Sequence, residues 1–366
     1  MTTLRALRLW SAVLPIALGA LTACAESVPF DPVALSQSTD EIINVMDNSP
    51  AMQSMDVLGS KMTAGAPAMG APALVAATIP GLSAPTAGFP AWAARRLRAL
   101  QSAESVAAPE AVIIPTLVLG TVWEYDPATT RYKLKSATGG PSNGVRFLLY
   151  AVNPLTRTVT LPLQETGYAD LLDESTSPTA LQLRLKAYDN AKAKVLIDYT
   201  ASGSVQATGG TVTSATVNVS GYISDGTTQV DFTLTQQLST TSGISVNYTF
   251  RVPEKDVEIK FEATFTLTRQ ATVTLTVKHA GNTTVVAASG TEASISGTIR
   301  HNGDLVINIS GSPTNPTFTD ASGNPLTAEQ NAALKKLFDF TDQLLDHVDE
   351  MLAPAHLLLG IAAFFA

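Results

Sequence analysis

The feature that most constrains this chain is a strict two-residue alternation of apolar and polar side chains. It is clearest in Val257–Leu267, where every odd position is apolar and every even position is polar. Successive side chains of a β-strand point to opposite faces, so such a segment forms a strand with one apolar and one polar face. Much of the chain is therefore expected to be half-buried strand. The pattern recurs in Val217–Ile223, Val230–Leu234, Ile244–Val252 and Val273–Val277.

The dipeptide Asp225-Gly226 predicts a tight turn between two of these strands. Asp-Gly is favoured in two-residue hairpin loops of type I′, in which both central residues have positive φ. Such a loop would place Phe232 opposite Val219 and would bring two apolar faces together. The sequence therefore predicts a hairpin in this register.

A second turn is predicted around Asn302-Gly303. A two-residue loop there would place the apolar Leu305 opposite Arg300, which mixes the two faces. A three-residue loop that begins at His301 and has a left-handed glycine instead pairs Ile299 with Leu305. We therefore favour the three-residue loop.

Alternating segments and turn residues continue from about residue 117 to 319, with no helix-length interruption. They predict an antiparallel meander of about a dozen strands or more, and so long a sheet must coil, close or split to bury its apolar face. The predicted fold is therefore mainly β. The meander forms a curved sheet or barrel, with N- and C-terminal helices packing on it.

Residues 24–115 precede these strands and are rich in alanine, proline and glycine. Helical patterns occur at Thr39–Met46 and Ala51–Met62, and a third at Pro90–Leu100, where proline suits a first helical turn. The stretch between the second and third patterns has the composition of a linker or a loosely packed wrapping. We expect 24–115 to form short helices ahead of an antiparallel β domain at 116–320.

Residues 321–366 return to a helical pattern. Thr327 and Gln330 have the spacing of a capping box, in which each side chain binds the other residue's backbone N–H. Leu357–Ala366 is almost wholly apolar but too short to span a bilayer. We expect a C-terminal helix and an apolar tail packed on the β domain. The apolar residues at helical spacing are Leu334, Leu337, Phe338, Leu344, Leu345, Val348 and Leu352.

The N-terminus has the order of a secretory signal. Arg5 and Arg8 precede the apolar stretch Leu9–Ala20, which is too short to span a bilayer comfortably. Small residues follow, and Leu21-Thr22-Ala23-Cys24 resembles the lipobox of bacterial lipoproteins at every position. The first 23 residues are therefore interpreted as a lipoprotein signal peptide.

The lipobox resemblance implies both the residue that is modified and the cellular location of the protein. In that family the cysteine thiol receives diacylglycerol, the signal is cut before it, and the new amine is acylated, for example with palmitate. The resemblance therefore assigns lipidation to Cys24, where several acyl chains, at roughly 0.8 kcal/mol per buried methylene, give firm anchoring. Because Ala25 follows, and not aspartate, the resemblance implies the outer membrane, with the protein facing the periplasm.

The amino-acid composition limits which classes of partner the chain can bind. The formal net charge is −8, so the chain is a poor binder of phosphate backbones, and nucleic acid is not expected as a partner. Charged residues make up only 15% of the chain, and the polar surface must therefore come largely from Thr, Ser, Asn and Gln. Cys24 is the only cysteine, which leaves no intrachain disulfide.

The sequence contains one hydrolase-like motif. Gly140-Pro141-Ser142-Asn143-Gly144 matches G-x-S-x-G, but the nucleophile elbow of serine hydrolases needs a strand before the serine and a helix after it. Here a strand pattern, Val145–Tyr150, follows the motif. A hairpin loop is the preferred interpretation, and no catalytic residue is assigned.

Metal and cofactor motifs are not found. The four histidines are scattered along the sequence, and no two have the spacing of metal ligands; they are His279, His301, His347 and His356. The sequence also contains no glycine-rich loop of the kind that binds phosphate. Asp342, Asp346 and Glu350 share a helical face beside His347, for which a solvated acidic surface is preferred over a weak cation site. Asp320–Asn324 is interpreted as a turn, and Asn218, Asn247, Asn282 and Asn308, which stand in N-x-S/T triplets, as polar strand positions.

Together these features favour a lipid-anchored cell-envelope protein that is a non-enzymatic binding or scaffolding module. Its expected contacts are the membrane, through lipid on Cys24, and either a hydrophobic ligand or another envelope protein; no cofactor is expected. One alternative is an outer-membrane β-barrel, with Tyr188, Tyr199 and Tyr222 as interface residues. The other alternative is an enzyme with a dispersed active site.

Overall fold

The structure is a computed structural model. It describes residues 32–63, 114, 116–153, 155–176, 181–191, 194–208, 211–291, 293–312 and 315–332, and positions 334–337, 340, 343–344 and 347–348 of a last helix. Cys24, the predicted helix at Pro90–Leu100 and the tail Leu357–Ala366 lie outside the described residues.

Helices flank a long run of strands. The first two helices are α1 (Pro32–Asn48) and α2 (Pro50–Thr63), which contain both helical patterns predicted for this region. A last helix, α3, has helical positions 328–332, 334–337, 340, 343–344 and 347–348. Short 3₁₀ turns lie at Thr116–Val118 and Pro253–Lys255. The strands are β1 Val122–Asp126, β2 Arg131–Ser136, β3 Gly144–Tyr150, β4 Val152–Asn153, β5 Thr158–Val159, β6 Glu165–Asp173, β7 Leu181–Asp189, β8 Val195–Thr208, β9 Thr211–Ser224, β10 Gln229–Ser239, β11 Gly243–Val252, β12 Val257–Phe265, β13 Ala271–His279, β14 Asn282–Gly290, β15 Ile295–His301, β16 Asp304–Ser312 and β17 Asn315–Asp320.

The described strands form one large sheet and a small hairpin. The large sheet has 15 strands in the order β17 to β6 without a break, then β3, β1 and β2. Every pair is antiparallel except β1 with β3. β4 and β5 pair only with each other among the described residues, as an excursion between β3 and β6. The predicted mainly β fold, an antiparallel meander in a curved sheet, is confirmed.

The apolar face of the sheet is buried, whereas most side chains of the polar face are at least partly exposed. In β12 the odd positions from Val257 to Phe265 are buried, and the even positions between them are not. The strand ends at Phe265, and Leu267, which continues the sequence pattern, is exposed in the following turn. On the apolar side Tyr248 of β11 lies opposite Phe261 of β12, and the same side chains join one continuous core.

β9 and β10 pair in a different register from the predicted one. Phe232 lies opposite Gly221, two residues from the predicted partner Val219, and the loop spans four residues, 225–228. The apolar faces still coincide, because a shift of two residues along a strand preserves the direction of each side chain. The prediction was therefore correct about the faces and wrong about the register.

Hydrogen bonds of Asp225 explain the longer loop. Its Oδ1 accepts hydrogen bonds from the backbone N–H groups of Thr227 (2.7 Å) and Thr228 (2.8 Å). Such bonds from an Asp side chain to the backbone two residues on favour a turn of their own. Only Gly226 has positive φ in this loop, at +95°, whereas a type I′ loop would require it of Asp225 as well.

The predicted three-residue loop between β15 and β16 is wrong. Asn302 and Gly303 both have positive φ, +51° and +94°, and form the two-residue loop themselves. Arg300 lies opposite Leu305, but the register then shifts, so that Ile299 meets Ile307. This β-bulge puts one extra residue into β16 and brings the apolar faces together without a longer loop.

α1 and α2 pack on the apolar face. α1 contacts β9, β10, β11 and β13, whereas α2 contacts β2 through β8. The junction between the helices is fixed by Ser49, whose Oγ donates a hydrogen bond to the carbonyl of Ser224 at the end of β9 (2.9 Å). Ser54 of α2 donates in the same way to the carbonyl of Tyr150 at the end of β3 (2.9 Å). An ion pair joins Glu41 of α1 to Lys255.

α3 completes the cover of this face. Leu334, Leu337, Leu344 and Val348, four of the residues predicted at helical spacing, are buried in the core shared with the sheet, as is Phe340. The other three predicted positions lie outside the described residues. Within the part of the chain that the structure describes, no helix is both long enough and apolar enough to cross a membrane.

Candidate functional site

The polar face of the sheet carries a cross-strand row of charges, which we call the charge row. Its members lie directly opposite one another on ten successive strands of the sheet, from β3 to β14. Their signs alternate on each side of a central tyrosine. In order across the sheet they are Arg146, Asp170, Lys186, Asp198, Tyr222, Asp231, Arg251, Glu258, Lys278 and Thr283.

The charge row begins with a two-point ion pair. Arg146 of β3 holds both carboxylate oxygens of Asp170, with Nε–Oδ1 at 2.7 Å and Nη2–Oδ2 at 2.8 Å. The hydrogen bond to Asp170 raises the pKa of Arg146. The same guanidinium lies 4.0 Å from the ring centre of Tyr168, which stacks on Tyr188 at 4.7 Å. Charge, cation–π contact and ring stacking therefore fix one another at this end of the face.

A second two-point pair lies beside the stacked rings. Arg184 of β7 donates from Nε and Nη2 to the two carboxylate oxygens of Asp198, at 2.8 and 2.9 Å. Lys186 also approaches Asp198, at 3.7 Å, and Glu174 approaches Arg184 at 3.9 Å. Partial burial raises the pKa of Tyr222, the residue opposite Asp198. The charges of this region are thus largely balanced within the surface itself.

Glu258 holds two cations at the far end of the row. Its Oε1 accepts a hydrogen bond from Lys278 Nζ (2.7 Å), and its Oε2 pairs with Arg251 on the other neighbouring strand. The hydrogen bond from Lys278 is the main cause that lowers the pKa of Glu258, and that from Arg251 adds to it. Glu258 is therefore the charged centre of a three-strand unit.

A second row, made mostly of uncharged polar side chains, runs parallel to the charge row four residues further along the strands. Thr235 Oγ1 donates to Asn218 Oδ1 across the β9–β10 pair (3.0 Å). Asn218, Asn247 and Asn308 of the N-x-S/T triplets belong to this row, in agreement with their interpretation as polar strand positions. The row reads Ser202, Asn218, Thr235, Asn247, Glu262, Thr274, Ala287, Thr298, Asn308 and Thr319.

The hydrolase-like motif lies in a connection between strands. Gly140 and Ser142 are in the segment that follows β2, and Gly144 begins β3, so a strand and not a helix comes after the serine. The connection is not a hairpin, since β2 and β3 are separated by β1, which pairs with both. The predicted loop is confirmed and its hairpin geometry is corrected.

The residues that were weighed and rejected as metal ligands lie apart from one another where the structure describes them. Asp320 closes a turn through hydrogen bonds from Asn324 Nδ2 (3.0 Å) and from the backbone N–H of Ser322 (2.9 Å), and these bonds, with that of Asn324 first, lower its pKa. His347 of α3 lies 3.1 Å from Asp47 Oδ1 at the end of α1. No described group of three or more His, Cys, Asp or Glu residues is placed to hold a metal ion. Asp342, Asp346 and Glu350 are outside the described residues.

The three tyrosines considered as interface residues lie on different faces. Tyr199 is buried in the core, 6.2 Å from Phe232, whereas Tyr188 and Tyr222 lie on the polar face. Sequence reasoning did not identify the cluster of Tyr168, Tyr188 and their charged neighbours. A signal was present, because both tyrosines occupy positions in their strands where the alternation places polar side chains, but the contacts depend on the register of the strands.

No protein-family model, curated protein or solved structure matches the chain.

Proposed function

We propose that this chain is a lipid-anchored protein of the bacterial cell envelope, tethered through Cys24 to the outer membrane and facing the periplasm. In this proposal the β domain is a non-enzymatic binding or scaffolding module. The observation that carries the second part is the contrast between the two faces of the sheet. α1, α2 and the described part of α3 pack on the apolar face, whereas every member of the charge row except Asp170 is at least partly exposed.

The polar face suits a contact surface because its side chains are held in place. Arg146 and Arg184 are each fixed by two hydrogen bonds to a carboxylate, and such pairs combine geometric specificity with strength. These hydrogen bonds restrain the two side chains before a partner binds, which lowers the entropic cost of association. A hydrophobic ligand would instead have to displace the buried side chains of the helices, so an envelope partner at the polar face is the preferred form of the proposal.

The anchor is tested by metabolic labelling with palmitate. The wild-type chain should incorporate label and sediment with outer membranes, and Cys24→Ser should lose the label and leave uncleaved or soluble product. Ala25→Asp is a matched variant that retains the acceptor cysteine, and it should stay labelled but move toward the inner membrane. Normal labelling of Cys24→Ser would contradict the assignment.

The contact surface is tested with introduced cysteines, since Cys24 is the only cysteine and its thiol is blocked by lipid in the proposal. Asn218→Cys places a thiol on the exposed polar face, and Leu267→Cys places one in an exposed turn. A partner on the polar face should slow maleimide labelling at position 218 in intact envelopes relative to purified protein. Equal slowing, or none, at both positions would argue against a partner at this face.

A further inference from the structure

The excursion between β3 and β6 displays apolar side chains to solvent. We call residues 151–164, which contain β4 and β5, the leucine hairpin. Leu155 in its turn is 92% exposed, and Leu161 and Leu163, in the segment between β5 and β6, are 62% and 38% exposed. Three of the six large apolar side chains that are exposed among the described residues fall in this short segment. Exposed apolar patches mark contacts with membranes or partners.

Hydrogen bonds and packing join the described residues of the hairpin. Asn153 Oδ1 accepts a hydrogen bond from the backbone N–H of Leu155 (2.9 Å), and the carbonyl of Asn153 accepts one from Arg157 (2.8 Å). At its base, Val152 and Val159 pack on a small core. Leu155 therefore lies in a turn that is hydrogen-bonded to Asn153 and packed at its base. The small core consists of Val57, Val122, Tyr125, Leu148 and Tyr150.

The charge of the hairpin points to an anionic surface. Between Tyr150 and Glu165 the sequence contains no acidic residue and one basic residue, Arg157, beside the exposed tip. A net positive, leucine-bearing hairpin on an otherwise acidic chain is complementary to anionic phospholipid headgroups over acyl chains.

The position of the hairpin also agrees with the proposed anchor. Strands β3, β9 and β11 run in one direction and end on the same side of the sheet, where Ser54, Ser49 and Glu41 attach α2 and α1. The leucine hairpin follows β3 on that side. Cys24 precedes the first residue of α1 by eight residues, a link that spans at most about 29 Å. In the proposal, acyl chains on Cys24 are linked to α1, the helix whose Glu41 and the following Ser49 attach to this side of the sheet.

We propose that the leucine hairpin inserts its tip into the surface of the membrane that holds the lipid anchor. This inference rests on the proposed function. Two separated attachments, the acyl chains and the hairpin, would fix the orientation of the β domain on the bilayer, which a single flexible tether does not do. The polar face of the sheet is then presented at a constant angle to the envelope space.

The test uses the full acylated chain with one new thiol. Leu155→Cys is labelled with an environment-sensitive fluorophore and reconstituted in phosphatidylethanolamine–phosphatidylglycerol vesicles, with and without lipid-attached quenchers. Leu117→Cys is the matched control, because Leu117 is 90% exposed but lies near the opposite end of β3, where Gly120 N–H binds the carbonyl of Gly144 (2.8 Å). The two ends of β3 are about 20 Å apart.

The expected result is a blue-shifted emission and quenching by the lipid quenchers at position 155, with neither at position 117. Arg157→Glu should reduce the quenching at 155. Equal emission and no quenching at both positions would overturn the proposal. A blue shift at 155 without lipid quenching would also overturn it, in favour of a protein surface over the hairpin. Failure of the anchor is a separate result, since Cys24 would then itself take up the fluorophore in the unsubstituted chain.

Discussion

Thr327 and Gln330 bind each other's backbone at the start of α3. The N–H of Thr327 donates to Gln330 Oε1 at 3.0 Å, and the N–H of Gln330 donates to Thr327 Oγ1 at 3.2 Å. The first N–H groups of a helix have no partner within the helix, so this reciprocal pair satisfies two donors at once. The capping box that the sequence predicted is confirmed, and it begins the helix that completes the cover of the apolar face.

Loss of this cap should destabilise the fold. Thr327→Ala removes the hydroxyl that accepts from Gln330, and we expect the free energy of unfolding to fall by about 1 kcal/mol. Thr327→Ser keeps the hydroxyl and should remain within a few tenths of a kcal/mol of wild type. Urea unfolding followed by circular dichroism measures both. Equal stability of all three proteins would mean that the cap does not contribute.

Gly226 is predicted to be required for its backbone conformation and not for space. Its φ is +95°, and an added Cβ would meet nothing closer than Leu196 Cδ2 at 4.0 Å. Gly226→Val should therefore lose about 1 kcal/mol or more, because β-branched residues fit this conformation poorly. Gly226→Asn should lose less, since asparagine tolerates positive φ better. An unchanged melting temperature for the valine variant would contradict the loop conformation.

Glu258 should make stability depend on acid pH. Hydrogen bonds from Lys278 and Arg251 lower the pKa of Glu258 in the folded state, so its stabilisation is complete above the unfolded pKa of about 4.3 and is lost as pH falls through the folded value. Glu258→Gln should cost roughly 0.5–1 kcal/mol at neutral pH. The difference from wild type should shrink below about pH 4. Unfolding measured across this range would refute the assignment if the difference were constant.

The register of the β9–β10 pair shows what a period of two can predict. The alternation identified which side chains of β10 face the core, because that information repeats every two residues. It could not distinguish Phe232 opposite Val219 from Phe232 opposite Gly221, since both registers bring apolar faces together. The choice was made by hydrogen bonds of Asp225 within the loop, which a two-residue turn rule does not include.

The predicted loop between β15 and β16 was wrong for a related reason. The sequence correctly indicated that Ile299 must meet an apolar residue, and the longer loop was the simplest way to achieve it. The chain instead keeps the short Asn302-Gly303 loop and corrects the register with a β-bulge, so that Ile299 meets Ile307. A bulge adds one residue without a sequence signature as clear as that of the turn.

The charge row was beyond sequence reasoning. Each of its contacts requires the correct register of a strand pair, and an error in any one pair moves the partners apart. Tyr168 and Tyr188 were visible only as aromatic residues at polar positions, and their stacking with Arg146 follows from pairings of β3, β6 and β7. The capping box was predictable because both partners lie within one turn of sequence.

A variant that lacks α3 serves as the comparison for the solubility of residues 25–366 made without lipid. Residues 25–366 made without lipid retain the sequence of all three helices and should keep them on the apolar face. Deletion of 327–366 would expose part of that face, which includes Phe232, Phe261 and Phe265. The truncated protein should therefore aggregate or bind a hydrophobic dye, whereas the longer protein should not.

The sedimentation of residues 25–366, made without lipid, in detergent-free buffer tests most directly whether the helices cover the apolar face and whether lipid alone attaches the protein to the membrane. If the helices cover the apolar face and lipid on Cys24 supplies the membrane attachment, this protein should fold and sediment as one discrete species. A protein that stays in solution only with detergent would place the same apolar side chains against acyl chains. That result would contradict the account.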